Sequence, residues 1–102
     1  MKLNEYQLGA MSTKLPTADI TYAVLNIAGE AGEIASKYAK AVRDNTEVDR
    51  VEVAKELGDV LWCVTLAAQE LGFTLEEVAQ MNLDKLASRM KRAVLSGSGD
   101  NR

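Results

Sequence analysis

Two short segments of the chain carry the same pattern of glycines and acids. They are Ile27-Ala28-Gly29-Glu30-Ala31-Gly32-Glu33-Ile34 and Val53-Ala54-Lys55-Glu56-Leu57-Gly58-Asp59-Val60. Residues three and four apart share one face of an α-helix, so Glu30 and Glu56 each fall within an apolar stripe. The second acid of each pair, Glu33 or Asp59, falls at the edge of that stripe. The pattern therefore predicts two helices that each turn carboxylates toward the core.

Four carboxylates in a protein interior must be protonated, paired or bound to a metal. If the two segments face each other, their oxygens suit a hard divalent cation, with Mg²⁺ as the first candidate and Mn²⁺ as the second. Gly32 and Gly58 each cost about 1 kcal/mol relative to alanine inside a helix. We expect close approach of another helix or a ligand to offset that cost. A single acid pair would be interpreted as a solvated helix face, and its repetition favours a metal site.

Composition narrows the class of protein. The 102 residues, 47% of them hydrophobic, suffice for one small domain with a core. The net charge of −3 argues against a general nucleic-acid-binding protein. No apolar run is long enough for a membrane span, and the N-terminus lacks the apolar segment of a signal peptide. We therefore expect a cytoplasmic protein with no nucleic-acid or membrane partner.

The chain contains no histidine. This disfavours structural zinc sites, histidine general bases and the di-iron sites of helical bundles, which normally use Glu-x-x-His. No glycine-rich phosphate loop is present. Cys63, the single cysteine, lies in an apolar run, and we interpret it as part of the core in a reducing compartment. Carboxylates, Lys, Arg and a metal ion remain to carry any chemistry.

Helical periodicity and capping signals predict four helices and no strands. The expected helices cover about residues 4–13, 20–42, 49–71 and 74–95. Thr17 or Asp19 can cap the second helix, after the break at the single proline. Gly72 suits the end of the third helix. Thr74 and Glu77 form a capping box at the start of the fourth.

Residues 60–68 of the third helix are apolar nearly all the way around. Such a helix is buried on every side, which a lone domain of this size achieves with difficulty. We therefore expect an all-α fold, an antiparallel bundle of about four helices whose core is completed by homo-oligomerisation. Residues 1–95 would form the single domain. Residues 96–102 have the composition of a linker and would form a flexible C-terminal tail.

Several residues outside the acid motifs are candidates for substrate binding. Asn82, Lys85 and Arg89 form a polar ridge on the fourth helix, defined here by these three residues, which could clamp a phosphate. On spacing alone, a solvated basic face near a helix C-terminus is the better interpretation. Trp62 could stack on a nucleobase or simply pack in the core or an interface. Arg102 could reach a phosphate or belong to a disordered end.

Three segments together resemble the MazG-type nucleotide pyrophosphohydrolases of the all-α NTP pyrophosphatase superfamily. They are residues 29–35, 55–62 and 82–89. The hallmark of that family is Glu-x-x-Glu followed, after a spacer, by Glu-x-x-Asp, and the spacer here is 22 residues long. The resemblance extends over about residues 20–92. The closing Gly-Ser-Gly-Asp-Asn-Arg is also similar to the ending of short, single-domain members.

This resemblance implies Mg²⁺-dependent hydrolysis of a nucleoside or deoxynucleoside triphosphate to the monophosphate and pyrophosphate, in a nucleotide-pool or housecleaning role. Four acids match the metal-ligand positions of the family: Glu30, Glu33, Glu56 and Asp59. One of these carboxylates, with Glu33 as our candidate, would position the attacking water or accept its proton. The polar ridge matches positions associated with phosphate binding. Members are dimers or tetramers whose sites are lined by more than one subunit.

Two other functions stay open at this point. The substrate could be another phosphoanhydride such as phosphoribosyl-ATP, since no residue in the sequence fixes a base or a sugar. The chain could also be a non-catalytic helical module that binds a metal or a protein partner. The number of metal ions and the choice between dimer and tetramer are likewise left open.

Overall fold

The structure is a computed structural model that describes residues 1–96, with side chains through residue 94. Within that range the chain forms four α-helices and no strand: α1 Leu3–Met11, α2 Ile20–Asp44, α3 Arg50–Glu70 and α4 Leu75–Ser96. The predicted all-α class and the four helices are confirmed. None of these helices is both long and apolar enough to cross a lipid bilayer. Arg102 and the rest of the predicted tail after Ser96 lie outside the described residues.

Helices α2 and α3 form an antiparallel hairpin, which is the most extensive helix pairing in the described chain. Asp19 caps α2 by accepting a hydrogen bond of 2.9 Å from the backbone N–H of Tyr22, and Asp49 caps α3 in the same way. Asn45 ends α2 in the left-handed conformation, with φ of 51°. Asparagine tolerates this conformation better than most residues with a side chain. Local side-chain chemistry therefore fixes both ends of the turn that joins the two helices.

The core of the hairpin is small. Its buried apolar cluster consists of Ala18, Ala23 and Leu66, with Trp62 packed against it. Alanine side chains allow α2 and α3 to approach closely, but each removes little apolar area from water. Leu66 is the one large apolar side chain among the described residues that is fully buried. Most of the larger apolar side chains therefore lie outside this core.

Gln7 of α1 connects three helices. Its side chain is buried, with 7% exposure. The amide nitrogen donates to Gln69 Oε1 at 2.8 Å and to the carbonyl of Phe73 at 3.2 Å. The amide oxygen accepts from the backbone N–H of Leu75 at 2.6 Å. A buried amide that meets its hydrogen-bonding needs in this way holds α1 against the junction of α3 and α4.

The start of α4 is capped by its own sequence and by α1. Thr74 and Glu77 form the predicted capping box, with reciprocal hydrogen bonds of 2.9 and 3.0 Å. Asn4 of α1 accepts from the backbone N–H of Glu76 at 3.2 Å. Gly72, with φ of 84°, follows the end of α3, where a left-handed residue commonly terminates a helix. The N–H groups that the first turn of α4 leaves without helical partners are thereby satisfied.

Beyond its first turns, α4 projects away from the hairpin. Within residues 1–96 it contacts α1 and α3 but not α2. Five large apolar side chains along it are 46–76% exposed: Met81, Leu83, Leu86, Met90 and Val94. The radius of gyration is 17.0 Å, whereas a compact domain of about 100 residues has a value near 13 Å. One chain is thus a helical hairpin with a projecting fourth helix, and completion of a bundle by a second copy stays a prediction.

Candidate metal centre

Three carboxylates meet across the hairpin. Glu30 of α2 and the pair Glu56 and Asp59 of α3 each place one oxygen within 4.8 Å of the others. The antiparallel pairing sets the middle of α2 opposite the first half of α3, and the three-residue spacing puts Glu56 and Asp59 on one face. Glu30 and Glu56 are half-buried, whereas Asp59 is exposed. The two glycine-acid segments therefore meet in space through three of their four acids.

Glu33 lies beside this three-carboxylate group and is not one of its members. It follows Glu30 by three residues, which rotates its side chain by about 60° around α2, and that side chain is exposed. Its negative charge nevertheless contributes to the raised pKa of Glu30. The sequence predicted four acids as metal ligands, whereas in this chain three of them form a group and the fourth, Glu33, lies at its edge.

The electrostatics of the group favour a cation. Burial raises the pKa of Glu30 above the ordinary value of a glutamate, and the charges of Asp59, Glu56 and Glu33 raise it further. Neighbouring ionised carboxylates repel each other, and a bound cation between them would offset that repulsion. Three carboxylate oxygens with no nitrogen or sulfur donor form a set that suits Mg²⁺ or Mn²⁺. The residues present therefore fit a hard divalent cation.

Tyr6 of α1 and Cys63 of α3 line one side of the group. Burial raises the pKa of the Tyr6 hydroxyl, and the charge of Asp59 adds to the effect. Burial likewise raises the pKa of the Cys63 thiol, with contributions from Glu30 and Asp59. Cys63 is buried and forms no disulfide, as expected for a core cysteine. Both groups are therefore close enough to the carboxylates to feel their charge, and the proximity of Tyr6 was not predicted.

Lys37 is a further member of the site that the motif analysis missed. Its Nζ lies 3.9 Å from Glu56 Oε1, at the outer limit of an ion pair. Lys37 follows Glu30 by seven residues, which is two helical turns, so the two side chains share a face of α2. That spacing is the signal that could have revealed it. The lysine thus places a positive charge beside one of the three carboxylates.

The two motif glycines do not serve close helix packing within the described chain. A Cβ atom built at Gly32 or Gly58 would meet no atom within 4 Å. The expected approach of another helix to these positions is therefore not made by this chain's own helices. Approach of a ligand or of a second copy stays a prediction.

Trp62 has a structural role in the chain. Its Nε1 donates to the carbonyl of Ala10 at 3.2 Å and to Thr13 Oγ1 at 3.0 Å. The indole also packs against the buried cluster of the hairpin. Core packing, one of the two interpretations drawn from the sequence, is thus observed. Stacking on a nucleobase would have to use the part of the ring that remains accessible.

The polar ridge lies on α4, apart from the carboxylates of the hairpin. Asn82 and Lys85 are exposed, whereas Arg89 is half-buried. Among the described residues, Lys85 forms no ion pair with the three-carboxylate group. Because α4 does not contact α2, the chain itself does not bring Lys85 to the acid of that helix. A phosphate-binding role for the ridge stays a prediction.

The fold and the site define an all-α protein in which two paired helices gather acidic residues into a group whose chemistry suits a divalent cation. The family model of the MazG nucleotide pyrophosphohydrolase domain matches residues 20–94, and the chain belongs to this family. The Gene 37 protein of Mycobacterium phage L5 is similar to it, with 41% identity over 114 aligned residues that cover all of both chains. No solved structure matches the chain. The family assigned from the acid motifs is thus confirmed.

Proposed function

We propose that the protein hydrolyses a nucleoside or deoxynucleoside triphosphate to the monophosphate and pyrophosphate, in a nucleotide-pool or housecleaning role. The observation that carries this proposal is the convergence of Glu30, Glu56 and Asp59 in a member of the MazG family. Membership of that family supports pyrophosphohydrolase chemistry. The choice of a triphosphate substrate and of Mg²⁺, with Mn²⁺ as the alternative, belongs to the proposal.

In this mechanism Glu30, Glu56 and Asp59 would hold the cation, which would neutralise phosphate charge and favour ionisation of a bound water. Glu33, exposed beside the group, is available to orient the attacking water or to accept its proton. Lys37 adds positive charge at the Glu56 side. Water attacks the anhydride between the α- and β-phosphates, and the bridging bond breaks to release pyrophosphate. Positioning and charge stabilisation are the main protein contributions to such reactions.

A second copy of the chain is the proposed protein partner, in a dimer or a tetramer. On the hairpin, five large apolar side chains are 55–83% exposed: Val24, Leu25, Val42, Val51 and Leu57. Burying apolar area gains about 25 cal/mol per Å², so two such surfaces gain by pairing. A neighbouring α4 could then bring Lys85 and Arg89 to the acids of another copy. Light scattering coupled to size exclusion measures the mass, and a monomer at all concentrations would contradict this assembly.

The proposed activity is tested by pyrophosphate release with Mg²⁺ or Mn²⁺ across the common NTPs and dNTPs, damaged analogues and phosphoribosyl-ATP. Glu56→Gln keeps the size of the side chain and removes a ligand charge, so we expect release to fall by about a hundredfold or more. Glu52→Gln is the matched control, because Glu52 lies on the same helix but pairs with Lys55 at the surface, at 3.4 Å. Absence of release from every nucleotide would overturn the proposal.

A further inference from the structure

A cavity of about 230 Å³ lies between the α1–α2 connection and α3. Its lining consists of Thr13, Leu15, Thr17, Ala18, Tyr22 and Trp62. None of these residues is charged. Sites that enclose a whole drug-sized ligand have volumes of about 300–1,000 Å³. The cavity is therefore suited to one ring system rather than to an entire nucleotide.

Both helices of the hairpin contribute to the cavity, through Tyr22 of α2 and Trp62 of α3, and both contribute to the metal centre. Trp62 follows Asp59 by three residues, a rise of about 4.5 Å along α3. Tyr22 precedes Glu30 by eight residues, a rise of about 12 Å along α2. Because the two helices are antiparallel, both displacements point toward the same end of the hairpin.

The walls of the cavity suit a planar aromatic ligand. The hydrogen bonds of Trp62 Nε1 to Ala10 and Thr13 fix the plane of the indole and occupy its N–H group. The ring can therefore offer an apolar face but no donor. Tyr22 is 49% exposed, so its ring is accessible from solvent. Aromatic side chains of this kind bind heteroaromatic bases by stacking, whatever the identity of the base.

We propose that this cavity binds the base of the nucleotide whose phosphates lie at the metal centre. The inference rests on the proposed function. It assigns the base to the uncharged, aromatic cavity and the phosphates to the three-carboxylate group. That division matches the two chemistries of a nucleotide. The stacking residues are Trp62, held by the core, and Tyr22, which is accessible at the rim.

The first test uses the fluorescence of Trp62, which is the single tryptophan of the chain. The full chain with Mg²⁺ is titrated with a nonhydrolysable nucleoside triphosphate analogue and, separately, with inorganic tripolyphosphate, and calorimetry reports binding of each. We expect a saturable change of emission with the nucleotide and none with tripolyphosphate. An identical change with both ligands, or no change once calorimetry shows that the nucleotide is bound, would overturn the assignment.

The second test compares two tyrosines of α2 that lie at equal sequence distances on either side of Glu30. Tyr22 precedes Glu30 by eight residues and Tyr38 follows it by eight, and their exposures are 49% and 52%. We expect Tyr22→Ala to raise KM for the nucleotide about tenfold, with kcat within about twofold, because stacking is lost. Tyr38→Ala should leave KM unchanged. Equal effects of the two substitutions would refute a base site at the Tyr22 end.

The outcomes separate this inference from the proposed function. Turnover of nucleotides with no emission change on binding removes the base site and leaves the function in place. A nucleotide-specific emission change without turnover of any substrate supports the base site and removes the function.

Discussion

The α2–α3 hairpin and α4 differ in how they pack within the chain: the two hairpin helices pack against each other, whereas α4 leaves large apolar side chains exposed. The hairpin packs against itself and gathers three carboxylates from two helices. Helix α4, with 22 residues, carries a polar ridge and a row of exposed apolar side chains, and it contacts α1 and α3 but not α2. The acidic half of the candidate site is therefore built by local pairing within one chain. The predicted phosphate-binding ridge lies on α4, which does not contact α2.

This contrast shows how a short chain can encode a site larger than its own core. A helical hairpin needs only a five-residue connection, residues 45–49, to bring its two acid motifs together. Helix α4 exposes large apolar side chains and does not contact α2, so part of its apolar surface is left to pack against another partner. In our proposal that partner is a second copy.

The largest expected effect is on the free energy of unfolding, when one leucine in each region is replaced by alanine. Leu66 of the hairpin is fully buried and Leu86 of α4 is 46% exposed. Leu66→Ala should lower the free energy of unfolding by about 3 kcal/mol, because it leaves a cavity in a small core. Leu86→Ala in dilute protein should cost less than about 1 kcal/mol. Urea denaturation measures both, and equal losses would remove the distinction between the regions.

The next effect concerns the charges of α4. Lys85→Ala should lower kcat/KM for the nucleotide about tenfold, since a charge-assisted contact to phosphate is lost. Lys91→Ala is the control, because Lys91 is also exposed on α4 but lies off the polar ridge. Steady-state kinetics at fixed ionic strength measures both variants. If the two lysines behave alike, the ridge is only a solvated basic face.

A smaller effect is expected at the motif glycines of the hairpin. Gly58→Ala should stabilise the metal-free protein by about 0.5–1 kcal/mol, because alanine favours the helix and the added Cβ meets open space. Thermal unfolding in the presence of a chelator measures the change. A loss of stability would mean that something outside the described chain approaches Gly58. If the variant is instead stabilised but turns over substrate more slowly, the ligand is what approaches Gly58.

The smallest effect is a pH dependence from Glu30. Its raised pKa means that the folded state binds a proton more tightly than the unfolded state. Stability without metal should therefore fall as pH rises from the ordinary glutamate pKa through the raised one. Glu30→Gln should lack this decline, so the difference in melting temperature between variant and wild type should grow with pH across that window. Parallel melting curves would show that the carboxylates do not repel each other in solution.

Much of the fold could be predicted because its signals are local. The cap at Asp19 and the capping box of Thr74 and Glu77 each satisfy backbone N–H groups within a few residues. The repeated acid motif indicated which faces of α2 and α3 meet, since helical spacing fixes the face of Glu30 and of Glu56. Those features depend on neighbours in sequence, which a single sequence contains.

What the sequence did not reveal depends on tertiary geometry. Glu33 lies outside the three-carboxylate group because a three-residue step turns it around α2, and the motif alone does not say which acid faces the partner helix. Tyr6 reaches the site from a helix distant in sequence. The direction of α4 depends on contacts at the junction of α3 and α4 rather than on the pattern along α4 itself.

Those contacts converge on the side chain of Gln7, a residue far from the acids in sequence. Three hydrogen bonds from one amide set the angle at which α4 departs. The short first helix consequently works as a brace: it supplies none of the three carboxylates, yet it holds the start of the helix that carries Lys85 and Arg89. Shortening the first helix would therefore change the direction of α4, and with it the positions of Lys85 and Arg89, while the three carboxylates stay on the α2–α3 hairpin.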